Sequence, residues 1–326
     1  MTEPIERVRI SAHELMERYP PRWRDRNKRA VFAFACPPGT RYGGEVGFSR
    51  WAAMPLPEEV DLAVAEALLE QRPGFYDYEP VLEGAAEWHV NFADPDLFFA
   101  YASGLFAQDE MQVLEHPVLG ALREALPELG CTARTVVAGA PTPVLVTGVE
   151  RRLAVATEPD AERGRPRGLY GNAFAAAPVE AVLAATRRIE PPTITNLIAM
   201  AAPRPGSGTY RAEEITDVLV TASTGFRAAA LESARLRPQG PVVVHSGFWG
   251  CGAFGGNRTL MVTLQAIAAA MAGLTRLVLH IGGPEGEEPV AQARELLTEL
   301  RPVSRVSDLV GRLVARGFPW GLSDGN

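Results

Sequence analysis

The stretch Val242-Val243-Val244-His245-Ser246-Gly247-Phe248-Trp249-Gly250-Cys251-Gly252-Ala253-Phe254-Gly255-Gly256-Asn257 decides the fold. It opens as an apolar strand and breaks into a turn with four glycines between positions 250 and 256. A helix is expected next, because Leu260, Leu264, Ile267 and Met271 recur at spacings of four, three and four and so share one face. Asn257 is placed to cap that helix. A second apolar strand, Leu277 to Ile281, follows. A glycine turn between a strand and a helix N-terminus exposes backbone N–H groups and the positive end of the helix dipole, which suits a phosphate or diphosphate. The plainer reading is a tight turn that needs glycine only for its backbone.

Gly250, Gly252 and Gly255 also fit a dinucleotide fingerprint. Two features argue against it: the strand Leu277–Ile281 does not end in an acid that could hold a ribose, and only about 70 residues follow the loop.

The same alternation runs back to about residue 87. Strands are expected at Trp88–Phe92, Thr135–Ala138, Val144–Thr147, Leu153–Ala156, Asn196–Met200, Pro241–His245 and Leu277–Ile281. Helices are expected at Met111–Leu126, Pro178–Arg188, Ala212–Leu236, Leu260–Ala272 and Pro289–Leu300. Strand–helix alternation with apolar strands implies an α/β fold, a mixed and mostly parallel sheet flanked by helices. Residues 1–86 read as an N-terminal accessory region packed on a domain spanning 87–326. Within it, Val31–Cys36 suggests a short strand and Leu56–Gln71 an amphipathic helix starting near Pro57. The basic segment Glu17–Arg29 reads as a solvated face, because Pro20-Pro21 breaks any helix there.

Composition bounds the class. In 326 residues, 47% are hydrophobic and 22% charged, enough for a large core and against disorder. Basic residues number 32 against 39 acids, a net charge of −7 and a pI near 5.4. That argues against a dedicated nucleic-acid binder. The three cysteines, Cys36, Cys131 and Cys251, form no close pair, so a reducing cytoplasm is the simple expectation. The N-terminus lacks the apolar core of a signal peptide, and no stretch has the length of a membrane span. No metal-ligand spacing occurs. The five histidines are scattered and read as structural.

A second segment carries chemistry. Asn91-Phe92-Ala93-Asp94-Pro95-Asp96-Leu97 precedes Gln108-Asp109-Glu110, which opens a helix. Acids there favour the dipole whatever else they do. Taken with the glycine turn they suggest more. The sequence resembles the poly(ADP-ribose) glycohydrolase family, of macrodomain fold. Asn91 to Leu119 lies ungapped on one family signature, and His245-to-Asn257 is similar to the other. Weaker echoes lie at Val146–Glu150, Ile198–Ala202 and Ala222–Phe226, so the resemblance covers roughly residues 87–283.

The resemblance implies roles. Glu110 falls on the catalytic acid, Asp109 on the acid that holds ribose hydroxyls, and Gly252, Ala253, Phe254, Gly255 and Gly256 on the diphosphate loop. Gln108, Asp94 and Phe248 fall on other substrate-binding positions, the last two with a changed side chain. The family's triple glycine falls on Phe98-Phe99-Ala100, whose bulk implies a substrate other than the long polymer. The aromatic that stacks on adenine has no equivalent in Arg151–Asp160. The expected activity is hydrolysis of a glycosidic bond at a ribose of ADP-ribose or a related nucleotide, with no cofactor and with a small nucleotide or ADP-ribosylated substrate as partner. The alternatives are an inactive nucleotide binder and an enzyme acting on a nucleotide-derived metabolite.

Overall fold

The computed structural model describes residues 2–236, 240–323 and 325. Among these, ten strands run in chain order: β1 (Glu6–Ser11), β2 (Glu45–Arg50), β3 (Leu69–Arg72), β4 (Ala86–Phe92), β5 (Val136–Val137), β6 (Ala140–Pro141), β7 (Val144–Val155), β8 (Thr186–Met200), β9 (Val242–Ser246) and β10 (Arg276–His280). The helices are α1 (Ala12–Arg18), α2 (Arg26–Ala35), α3 (Leu62–Ala67), α4 (Gln108–Glu115), α5 (Val118–Ala125), α6 (Ala173–Ala176), α7 (Val179–Ala184), α8 (Ala212–Leu236), α9 (Arg258–Ala272), α10 (Glu287–Leu300) and α11 (Val306–Ala315).

Eight of the strands form one sheet in the order β1-β2-β7-β8-β4-β9-β10-β3. The pairings β8–β4, β4–β9, β9–β10 and β10–β3 are parallel, and the three at the β1 end are antiparallel. The expected mixed, mostly parallel sheet is therefore observed, with Val242–His245 interior between β4 and β10.

Two apolar layers cover it. Trp88 and Val90 of β4, Val244 of β9 and Leu279 of β10 join Ile215, Phe226, Leu264 and Leu297 of the helices on one face. Val146 of β7 and Leu197 of β8 join Leu15, Val31, Val113 and Leu122 on the other. Strand alternation assigns the faces, and each fully buried Leu or Phe contributes about 1.5–3 kcal/mol.

Several local expectations are corrected. Val31–Ala35 is helical, with Cys36 the C-cap, and not a strand, because Asp25 caps α2 by accepting from Asn27 N–H and Lys28 N–H. The apolar alternation there conceals a helical period, with Val31 and Ala35 buried and Phe34 exposed. Leu56–Gln71 holds only the short α3, after which the chain extends as β3. Met111–Leu126 is split into α4 and α5 around His116-Pro117. Val144–Thr147 and Leu153–Ala156 belong to one strand, β7, which bulges between Val146 and Val149. Gly148 sits in the bulge at φ +74, and a Cβ there would lie 2.3 Å from Glu45 O. Of Thr135–Ala138 only Val136–Val137 is a strand, in a small hairpin. The helix expected at Pro178–Arg188 ends at Ala184, and β8 begins at Thr186. The first 86 residues supply β1, β2 and β3, so this region is woven into the sheet, not laid on it.

Candidate functional site

The parallel strands β4, β8, β9 and β10 end along one edge, where an α/β sheet opens its ligand crevice. A cleft lies there. It is lined by Phe92 to Asp94 at the end of β4, the Gln108–Glu110 turn of α4, Ala202 after β8, and Trp249, Gly250, Gly252, Ala253 and Phe254 after β9, with Leu105 and Tyr170 from flanking loops.

The carboxylates sit where the fold commits them. Gln108 extends the ladder of β4: its Oε1 accepts from Phe92 N–H at 2.7 Å and its Nε2 donates to Val90 O at 3.1 Å. That fixes the start of α4 against the strand end. Asp109 then lies inward, 6% exposed, accepting from Asn91 Nδ2 at 3.1 Å. Glu110, 4% exposed, reaches back so that Oε2 accepts from Ala107 N–H at 3.1 Å. This is one half of a capping box. Burial, then the adjacent Glu110, pushes the Asp109 carboxyl well above its usual range. Burial also raises Glu110, against the pull of its own and Ala107's amides and of Lys28. Two close buried acids cannot both ionise cheaply.

The glycine turn faces them. Its amides divide into two sets. Gly255 N–H donates to Gly252 O and Gly256 N–H to Gly250 O, closing the turn on itself. The consecutive amides of Gly252, Ala253 and Phe254 donate to no group among the described residues, and these three residues line the cleft. The run of unpaired amides is thus shorter than Gly252–Gly256.

Gly255 is glycine for another reason. Its φ is +62, and a Cβ would lie 2.9 Å from Gly321 O. The C-terminal segment crosses here: Gly321 N–H donates to Gly255 O at 2.7 Å, and Trp320 stacks on Tyr210 at 3.9 Å. The Tyr210 hydroxyl accepts from Asn257 N–H. Asn257 caps α9 as expected, accepting from Leu260 N–H.

Of the ten candidate positions, Asp94, Gln108, Asp109, Glu110, Gly252, Ala253 and Phe254 line the cleft, whereas Phe248, Gly255 and Gly256 do not. The Phe248 ring instead lies under the Arg258 guanidinium at 4.8 Å. The bulk at Phe98-Phe99-Ala100 does not fill the cleft either. Phe98 adopts φ +56 and is fully buried in the core, while Phe99 is 62% exposed. The backbone keeps a glycine-like conformation at Phe98, at a cost of about 1–2 kcal/mol.

Sequence reasoning missed Lys28, Asn91, Leu105 and Tyr170. Asn91 was visible within its motif; the others reach the site only through tertiary contacts. It also read the histidines as scattered. Four of the five converge on the sheet face opposite Trp88 and Val244, beside α4. His89 stacks on His245 with centroids 4.3 Å apart. His245 Nδ1 meets His280 Nε2 at 3.0 Å, and its Nε2 meets Glu87 Oε2 at 2.6 Å. Tyr78 lies between His89 and His116. Burial and neighbouring imidazoles hold His89 well below the ordinary range, and His280 is lowered to about 4, first by burial. Among the described residues no cluster of acids, histidines or cysteines has the geometry of a metal site.

A doubly covered, mostly parallel sheet with an amide turn facing buried acids across the strand ends defines a protein of macrodomain fold. A family profile described as poly(ADP-ribose) glycohydrolase, macro domain fold, matches residues 85–282. The chain belongs to that family.

The chain is also similar to solved structures. A Deinococcus radiodurans poly(ADP-ribose) glycohydrolase in complex with ADP-ribose is 14% identical, with 73% of this chain and 90% of that one covered and a TM-score of 0.42. The Thermomonospora curvata enzyme bound to the inhibitor ADP-HPD is 18% identical, covering 87% and 96%, with a TM-score of 0.43. A comparison with curated proteins returns no match. Among the described residues no helix is long and apolar enough to cross a membrane.

Proposed function

We propose that this protein hydrolyses a glycosidic bond at a ribose of ADP-ribose or a related small nucleotide. The carrying observation is the buried Asp109–Glu110 pair facing three unpaired amides, those of Gly252, Ala253 and Phe254, across one cleft. A diphosphate seated on those amides brings its ribose toward the acids. Glu110, whose carboxyl is raised above its usual range by burial, delivers a proton to the leaving oxygen. It then takes a proton from the attacking water. Asp109 holds ribose hydroxyls and, when ionised, stabilises the oxocarbenium-like transition state. Family membership supports these roles.

The substrate is smaller than the long polymer. Phe99 stands exposed where the family's glycines let the backbone approach a distal diphosphate, and its side chain supports this reading; Phe98 is turned into the core and takes no part in it.

Glu110→Gln keeps the shape and removes the proton. Release of ribose-containing product from ADP-ribosyl substrates is expected to fall about 10²- to 10⁴-fold, with ADP-ribose affinity retained in calorimetry. A wild type that binds ADP-ribose but cleaves no ADP-ribosyl substrate refutes the hydrolase reading. One that does neither refutes the nucleotide reading as well.

A further inference from the structure

Lys28 is fully buried in α2, far in sequence from the acids. Its Nζ donates to Tyr101 O at 2.8 Å and Leu105 O at 2.6 Å. Those carbonyls bracket the middle of the loop that starts at the left-handed Phe98 and ends at Ala107, the N-cap of α4. Leu105 itself lines the cleft. The same loop is stitched to the start of α2 by Arg24 N–H and Asp25 N–H, both donating to Ala102 O. Asn27 fixes the register of α2 by donating to Phe174 O and Ala177 O.

A buried ammonium is costly unless its charge is matched. Among the described residues Lys28 makes no ion pair within 4.0 Å. The acids acting on it through space are Glu110, Asp25 and Asp109, in that order. From the other side, Asp94 acts on both members of the pair. Three acids, Asp94, Asp109 and Glu110, thus line one end of the cleft, and the buried cation acting on the last two is Lys28.

We propose that Lys28 is a positioning residue: it clamps the 98–107 loop that carries α4 and sets a buried positive charge behind that loop, which lowers the proton affinity of the Asp109–Glu110 pair. This rests on the reading of Glu110 as the acid–base group. It gives the N-terminal region a part in the chemistry, because α2 lies outside the segment matched by the family profile.

The test is carboxyl ¹³C NMR on the substrate-free protein, with resonances assigned by Asp109→Asn and Glu110→Gln. Lys28→Met preserves bulk and removes the charge. The pair's titration midpoints are expected to rise by about one pH unit, a tenfold change in proton affinity, whereas Lys28→Arg leaves them near wild type. A residue with only a packing role changes stability and leaves the midpoints in place, and that result overturns the proposal. Should Lys28→Met fail to fold, the wild type serves. Burial lowers the Lys28 pKa to about 8, so the Asp109 and Glu110 resonances are expected to show an inflection there, and its absence overturns the proposal. Because no substrate is used, a protein that shifts as expected yet hydrolyses nothing refutes the hydrolase reading alone.

Discussion

Gly255→Ala tests the account of the C-terminal crossing. The substitution forces a residue with a side chain to φ +62, which costs about 1–2 kcal/mol. The added Cβ lies 2.9 Å from Gly321 O and 3.0 Å from Leu322 C, both main-chain atoms that no rotamer change can move. The segment must therefore lift. Lifting breaks the 2.7 Å bond from Gly321 N–H to Gly255 O, about 1 kcal/mol, for a total of roughly 2–3 kcal/mol. If Trp320 also leaves Tyr210, another 0.5–1.5 kcal/mol or so is lost. Gly273→Ala is the control: its φ is +70, but nothing lies within 4 Å of the new methyl. Urea denaturation followed by circular dichroism would compare the two. Gly255→Ala is expected to lose at least about 1 kcal/mol more than Gly273→Ala. Equal losses would refute the claim that the C-terminal segment bears on the glycine turn.

Further outcomes follow from burial. Glu115→Ala strands the Arg151 guanidinium, now bonded to Glu115 at 2.8 Å with both side chains under a tenth exposed, and should lower stability by about 3–5 kcal/mol in the same assay. His116 is lowered to about 3 and His280 to about 4, first by burial. Such groups take up protons on unfolding, so the stability they contribute is present above about pH 6.5 and lost as pH falls toward those values. Each contributes a slope of up to about 1.4 kcal/mol per pH unit. Asp109, Glu110 and Glu115 are raised, and theirs is present below about pH 4 and lost as pH climbs through the folded values. The decisive quantity is therefore a difference: His280→Gln should flatten the urea midpoint between pH 4.5 and 6.5 relative to wild type, and parallel curves would contradict the placement of His280.

The parts of the fold and of the cleft lining that were legible in the sequence are those whose meaning is local. A strand, a glycine turn and a capped helix lie within thirty-one residues, Val242 to Ala272, and backbone chemistry alone specifies them. Glu110 is legible for the same reason, sitting at a helix start after a strand motif. What stayed hidden depends on contact across the chain. The alternation at Val31–Cys36 imitates a strand until Asp25 is seen to cap a helix. The crossing at Gly255 could not be read from the glycine turn, because the segment that makes it lies more than sixty residues further on. The four clustered histidines belong to β4, β9, β10 and the end of α4, and only the sheet brings them together.

The position of β3 bears on how the protein is made. This strand emerges early, but it pairs with β10, about 200 residues later, and the helix before it packs on α9 and α10. At a synthesis rate of about 5–20 residues per second, Leu62, Leu68 and Leu69 wait roughly 10–40 s for their partners. During that interval the nascent chain presents an apolar hairpin-sized segment with no sheet to join. Translation through the glycine turn and α9 therefore ends the period of greatest exposure, and the last strand to be synthesised is the one that secures the third.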